Sequence, residues 1–220
     1  MSSGTLSALQ QRILKALAGR GLGWVLTGGG ALAGFHLAHR ITRDLDLFWH
    51  GRRLLKELPR EVQAWIEGEG LRVDLVQSGV TFCRLRVSDD SETCVVDLVA
   101  EPAEPIDLPL HVCLEGRDIL VDTTREILAN KLCALLSRSE LRDLLDVRAL
   151  LAAGADLETG LHDAARKDGG FSALTLAWVL RGFDVEAAAR ASGWGDEEVE
   201  QTASFRDELI ERLTMGAAPE

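Results

Sequence analysis

Two carboxylates separated by a single leucine, inside an otherwise apolar pentapeptide, constrain this chain more than any other feature. In Asp44-Leu45-Asp46-Leu47-Phe48 the period of two is that of a β-strand, whose successive side chains point to opposite faces. A strand from Leu45 to Trp49 sends Leu45 and Leu47 into a core and projects Asp44 and Asp46 together from the other face. Carboxylates so placed repel each other, and the arrangement calls for a cation. Taken alone, such a pair is more often a solvated strand edge or a helix cap.

Two neighbours in the sequence sharpen the reading. Upstream, the short apolar run Trp24-Val25-Leu26-Thr27 reads as a buried strand, ends in Gly28-Gly29-Gly30, and gives way to a helical stretch from Ala31 to His39. Glycines let backbone approach a phosphate closely, and a helix start offers free N–H donors; by itself such a turn is often only a turn. Downstream, Asp97 is centred in Cys94-Val95-Val96-Asp97-Leu98-Val99, where an unpaired acid is costly. Asp74, within Leu71-Arg72-Val73-Asp74-Leu75-Val76, is the competing candidate. A phosphate-binding turn, a paired-carboxylate strand and a third carboxylate describe a two-metal phosphoryl-transfer site. In it two Mg²⁺ (or Mn²⁺) ions about 4 Å apart would be held by Asp44, Asp46 and Asp97.

The remaining pattern divides the chain. Residues 5–18 read as an amphipathic helix, and residues 52–67 as another, kinked by Pro59. Leu71 to Val76, Thr81 to Val87 and Cys94 to Val99 are strand-like, with Asp89-Asp90-Ser91 as a hairpin turn between the last two. Two short strands are expected near Val112 and Ile119. Beyond them the pattern is helical. One helix, capped by Thr123 or Thr124, runs to about Ser137, and a second covers Leu141 to Ala152. Three or four more follow, broken near Gly169-Gly170, Gly182 and Gly193-Trp194-Gly195. The expected organisation is an α/β domain over 1–121 and a helical domain over 122–220.

Composition narrows the partners. The net charge is −11, and residues 156–220 hold 6 Lys/Arg against 14 Asp/Glu, which argues against nucleic-acid binding there. No apolar run approaches membrane-spanning length, and the N-terminus lacks the pattern of a secretion signal. The four cysteines form no zinc-type pairs and are expected to be buried free thiols in a reducing cytoplasm.

Thr27-Gly28-Gly29-Gly30-Ala31-Leu32-Ala33, then His36, then His39-Arg40-Ile41-Thr42-Arg43-Asp44-Leu45-Asp46-Leu47-Phe48 resembles the opening motif of the AbiEii/AbiGii-type nucleotidyltransferases. These are DNA polymerase β-like enzymes, many of them toxins of bacterial toxin–antitoxin pairs. Asn130-Lys131-Leu132-Cys133-Ala134-Leu135 and Arg142-Asp143-Leu144-Leu145-Asp146-Val147 resemble the family's lysine motif and its later acidic motif. The resemblance covers residues 25–150. It implies an α+β fold, a nucleotidyltransferase-like mixed sheet flanked by helices and followed by an all-helical C-terminal half.

It also implies roles. Gly28, Gly29 and Gly30, with Arg40, would hold a nucleoside triphosphate, and Asp44, Asp46 and Asp97 would bind metal. Lys131 would contact phosphate, and Asp143 would support the site. The family often places Ser or Thr after the paired glycines; Gly30 leaves the backbone donors there without the hydroxyl. On pattern alone, Lys131 can instead lay its stem over an apolar face with its amine in water, and Asp143 with Asp146 can be an ordinary helix surface.

The expected activity is transfer of a nucleoside monophosphate from an NTP to an acceptor hydroxyl. For a toxin the acceptor would be tRNA, in keeping with Arg40, Arg43, Arg52, Arg53, Lys56 and Arg60 around the carboxylates, and a cognate antitoxin is expected. The alternatives are a non-catalytic NTP- or partner-binding module of the same fold, and a small-molecule nucleotidyltransferase of the kind that modifies aminoglycosides.

Overall fold

The structure, a computed structural model, describes residues 5–215. Ser7 caps the first helix, α1 (Ala8–Leu17), through a reciprocal bond with Gln10. Strand β1 (Val25–Thr27) then enters the turn Gly28–Ala31, labelled α2, which continues as a π-turn over Leu32–His36. The helical segment therefore ends three residues before the expected His39. Strand β2 (Asp44–His50) alternates half-buried and buried side chains along its length. Leu45, Leu47 and Trp49 are buried at 2% exposure or less, each side chain contributing about 1.5–3 kcal/mol. A slip of one residue would drive both aspartates into that core, so the register is fixed.

Helix α3 (Leu58–Glu67) begins six residues later than expected, and Pro59 lies in its first turn, where a missing N–H costs nothing, rather than kinking it. Strands β3 (Arg72–Ser78), β4 (Phe82–Ser88) and β5 (Thr93–Glu101) follow. The β4–β5 turn is held by the Asp89 carboxylate, which accepts from the backbone N–H groups of Ser91 and Glu92 at 2.8 and 2.9 Å. β6 (Leu110–Leu114) and β7 (Arg117–Val121) complete a seven-stranded sheet of order β3-β4-β5-β2-β1-β7-β6. The sheet is mixed: β2 runs parallel to β5 and β1 to β7, while the other neighbours are antiparallel.

The chain divides into two compact units, the first ending at Ile127 and the second starting at Leu128. Helix α4 (Thr124–Arg138) starts with the Thr123 hydroxyl accepting from the Glu126 N–H at 3.1 Å. The second unit is helical throughout its described residues. It holds α5 (Leu141–Ala152), α6 (Leu157–Lys167), α7 (Ala173–Arg181), α8 (Val185–Ala191) and α9 (Asp196–Met215). Gly160 of α6 lets Leu128 and Leu132 approach closely, since a Cβ there would come within 2.7 Å of Leu128. The chain is thus α+β, with a mixed sheet followed by helices, and among the described residues no helix is long and apolar enough to cross a membrane.

The thiol expectation needs correction. Cys83 and Cys94 are buried, but Cys113 is exposed and Cys133 half-buried, because Cys113 lies on β6, an edge of the sheet.

Candidate active site

Strand register assembles the site. Asp46 pairs with Asp97 across the parallel β2–β5 contact, Thr27 pairs with Asp46 across β1–β2, and Arg84 pairs with Asp97 across β4–β5. Arg84, Asp97, Asp46 and Thr27 therefore form one transverse row over four adjacent strands, roughly 5 Å apart per strand. Asp44 lies two residues along β2 on the face of Asp46. Asp74 pairs with Arg86 on the edge strand β3, three strands from β2, and is not brought to this row.

The glycine turn closes on the same carboxylates. Gly28 has φ +63°, and a Cβ on it would collide with the Asp46 carboxylate. At Gly29 a Cβ would come within 2.5 Å of the Arg40 guanidinium, and at Gly30 within 3.3 Å of the Asp44 carbonyl oxygen. The turn, Arg40 and the Asp44–Asp46 strand thus lie together, and the absence of side chains on the turn is what permits it. The Thr27 hydroxyl beside Gly28 is buried and has no hydrogen-bond partner among the described residues. We expect Gly28→Ala to lower the unfolding free energy by about 1–2 kcal/mol, from the left-handed backbone alone. Urea denaturation of the variant would measure it, and wild-type stability would contradict the account of this turn.

The donor chemistry fits a hard divalent cation: three carboxylates on neighbouring strand positions, all oxygen ligands. Asp97 is 8% exposed, and Arg84 holds both of its oxygens, Nε to Oδ1 at 2.7 Å and Nη2 to Oδ2 at 2.6 Å. The bond to Asp97 raises the Arg84 pKa against the cost of burial, and Asp44 and Asp46 add to it. Cys94 behind them is no competing ligand. Burial, and then the Asp44 charge, push its thiol up to about 12, so it stays protonated at neutral pH.

Lys131, Asp143 and Asp146 form a separate cluster in the helical unit. The Lys131 ammonium lies 2.7 Å from Asp143 Oδ1 and 2.8 Å from Asp146 Oδ2, and Arg138 Nε donates to Asp143 Oδ2 at 2.8 Å. Both aspartates are fully buried and Lys131 is 6% exposed. A lysine with its amine in water and a solvated Asp143–Asp146 surface are therefore not what the chain forms. Burial disfavours the ammonium, but Asp146 and Asp143 outweigh it and hold its pKa above the ordinary lysine value. Burial likewise acts against the Asp143 carboxylate, and Arg138 with Lys131 overcomes it, so its pKa is lowered.

The structure adds residues that the motifs did not supply. Arg84 is one; its alternation within Thr81 to Val87 marks the polar face, but its partner depends on β4–β5 register. His50 is another, and the period of two through Asp44, Asp46 and Phe48 could have found it. Its Nε2 lies 3.1 Å from Asp122 Oδ1, its Nδ1 is buried without a partner, and His36 Nε2 lies 2.8 Å from the Asp122 carbonyl oxygen. Glu126 accepts from the Ile106 N–H at 2.6 Å. One donor atom each from His50, Asp122 and Glu126 lie within 4.8 Å of one another, close enough to share one cation.

Comparison with known proteins identifies the fold and the family. The chain resembles a putative nucleotidyltransferase from Helicobacter pylori, with 21% identity, a TM-score of 0.53, and coverage of 97% of this chain and 100% of that one. It also resembles JHP933 from the same organism, with 21% identity, a TM-score of 0.50, and coverage of 95% and 92%. An antigenic nucleotidyltransferase-like protein from Paracoccidioides brasiliensis matches at 16% identity, a TM-score of 0.50, and coverage of 84% and 94%. At such identities these matches establish the fold. The family model described as "Nucleotidyl transferase AbiEii toxin, Type IV TA system" matches residues 12–214. With its glycine turn, its Asp44–Asp46 strand and a family match over almost its full length, the chain belongs to the AbiEii nucleotidyl transferase toxin family.

Proposed function

We propose that this chain transfers a nucleoside monophosphate from an NTP to an acceptor hydroxyl, with pyrophosphate leaving, and that the acceptor is tRNA. The observation that carries the reading is the register pairing of Asp46 with Asp97 beside a glycine turn that a single Cβ would block. In this reading the backbone N–H groups of Gly28, Gly29 and Gly30 face the triphosphate, and the Arg40 guanidinium over Gly29 neutralises phosphate charge. Asp44, Asp46 and Asp97 would hold two Mg²⁺ or Mn²⁺ ions, which supply Lewis acidity at the reacting phosphate. Gly30 offers its N–H and no hydroxyl, so that contact is made by backbone alone.

Arg52, Arg53, Lys56 and Arg60 are exposed between the end of β2 and the first turn of α3, and Arg43 is exposed just before β2; such basic surface suits a polyanionic acceptor. Membership of a toxin–antitoxin family supports a cognate antitoxin as a partner. We place Lys131 and Asp143 in the reading as a charge cluster. The 1–121 and 122–220 division remains our proposal for the limits of the catalytic and helical domains.

Incubation with each α-labelled NTP, Mg²⁺ and total tRNA tests the whole. Label should enter RNA with wild type and be absent with Asp44→Asn/Asp46→Asn. NTP binding without transfer to any acceptor would support instead the non-catalytic module of the same fold.

A further inference from the structure

Arg84 stands where the proposed chemistry needs a divalent cation. It reaches Asp97 from the neighbouring strand, pairs with it in register, and spends both carboxylate oxygens in a two-pronged contact at 2.7 and 2.6 Å. A guanidinium fork matches a carboxylate in this geometry, and the bond is among the stronger ones a side chain makes. The Asp97 side chain is 12% exposed, whereas that of Arg84 is 43% exposed and its guanidinium lies 5.5 Å from the Phe82 ring centre. The carboxylate is therefore largely enclosed, while the guanidinium keeps much of its surface toward solvent.

Mg²⁺ requires oxygen ligands at about 2.0–2.1 Å in near-octahedral array. Each Asp97 oxygen keeps a second lone pair, but the fork takes one from both, and a divalent ion beside a guanidinium is opposed by charge. Entry of metal at Asp97 is thus favoured by the departure of Arg84. A triphosphate arriving with its own charge offers the fork an equivalent bidentate acceptor.

Resting on the proposed function, we propose that Arg84 is a resident cation that competes with the metal for Asp97 and passes to the triphosphate when the nucleotide binds. Metal and NTP binding are then coupled: NTP draws Arg84 from Asp97, and metal binding releases Arg84 to the phosphates. Arg84 is a positioning residue for the metal and a binding residue for the nucleotide, and its two effects have opposite signs.

Titration calorimetry on the full chain separates them. With Mn²⁺ alone, Arg84→Met should bind the ion about tenfold more tightly than wild type. With a non-hydrolysable NTP, the same variant should bind the nucleotide about tenfold more weakly. Arg84→Lys, which keeps the charge and loses the fork, should fall between wild type and Arg84→Met in both titrations. A merely structural residue would move both affinities the same way or neither, and Mn²⁺ affinity unchanged or weakened in a folded Arg84→Met overturns the inference. Asp44→Asn/Asp46→Asn distinguishes this from failure of the site itself. If that variant loses Mn²⁺ binding while Arg84→Met matches wild type, the site stands and the role of Arg84 falls. If wild type and Arg84→Met both fail to bind Mn²⁺, both readings fall.

Discussion

Lys131→Ala is expected to lower the unfolding free energy by about 3–5 kcal/mol. The substitution removes an ammonium 2.7 and 2.8 Å from two carboxylates that have no exposure to solvent. Breaking a buried ion pair from one side is costly because the charge left behind cannot regain water. Arg138 still reaches Asp143, so that carboxylate keeps one cation. The sign with pH follows from the shifts. Asp143 is lowered from an ordinary 3.8, so its contribution is present above that value and is lost as pH falls through its depressed folded value. Lys131 is raised from an ordinary 10.5, so its contribution is present below that and is lost as pH rises through its elevated folded value. The difference between wild type and variant should therefore be constant across the neutral range and shrink only at the two extremes. Urea denaturation followed by circular dichroism from pH 3 to 11 measures it. Lys131→Met with Asp143→Asn and Asp146→Asn should recover much of the loss, since no fully buried charge of the three is then stranded and Arg138, 49% exposed, can be hydrated. A loss below about 1 kcal/mol for Lys131→Ala would mean that the cluster is open to water.

This cluster illustrates what local pattern can and cannot disclose. Asp143 and Asp146 are three apart on a helix and so share a face, and the fold uses that face on one ammonium. Whether the face met water or protein depended on Lys131 of the preceding helix, and nothing within α5 says so. The same division holds in the sheet. Asp44-Leu45-Asp46-Leu47 disclosed its strand and its buried side because a period of two has one structural meaning, and Gly28-Gly29-Gly30 disclosed its turn. The order β4-β5-β2-β1, which turns separate acids and Arg84 into a row, is set by long-range pairing. His50 and Asp122 likewise meet across 72 positions. Local misreadings had local causes. Leu54 and Leu55 fit a helical spacing, but Lys56 adopts φ +53°, which breaks a right-handed helix there. The π-turn at Leu32–His36 leaves no mark in apolar periodicity, because one extra residue per turn disturbs the pattern too briefly.

Under the proposed chemistry, Asp97→Asn should reduce nucleotidyl transfer about a thousandfold, and Asp74→Asn should change it by less than about twofold. Both acids sit in apolar-flanked strands, and their sequence settings barely distinguish them; their positions in the sheet do. Asp97 faces Asp46 on the adjacent parallel strand, whereas Asp74 is on the edge strand, opposite Arg86, with β4 and β5 between it and β2. At roughly 5 Å per strand, Asp74 lies about 14 Å from the carboxylate pair, beyond the reach of one ion. The asparagine retains the shape and one acceptor oxygen but withdraws the charge that would hold a divalent cation. It leaves Arg84 unpaired, yet with a side chain 43% exposed the guanidinium is hydrated at little cost, so the fold should survive. Loss of transfer at unchanged thermal midpoint, together with weakened Mn²⁺ binding in calorimetry, is the expected signature. Full activity in Asp97→Asn, or its loss in Asp74→Asn, would move the third carboxylate to the sheet edge and dissolve the row from which the function is read.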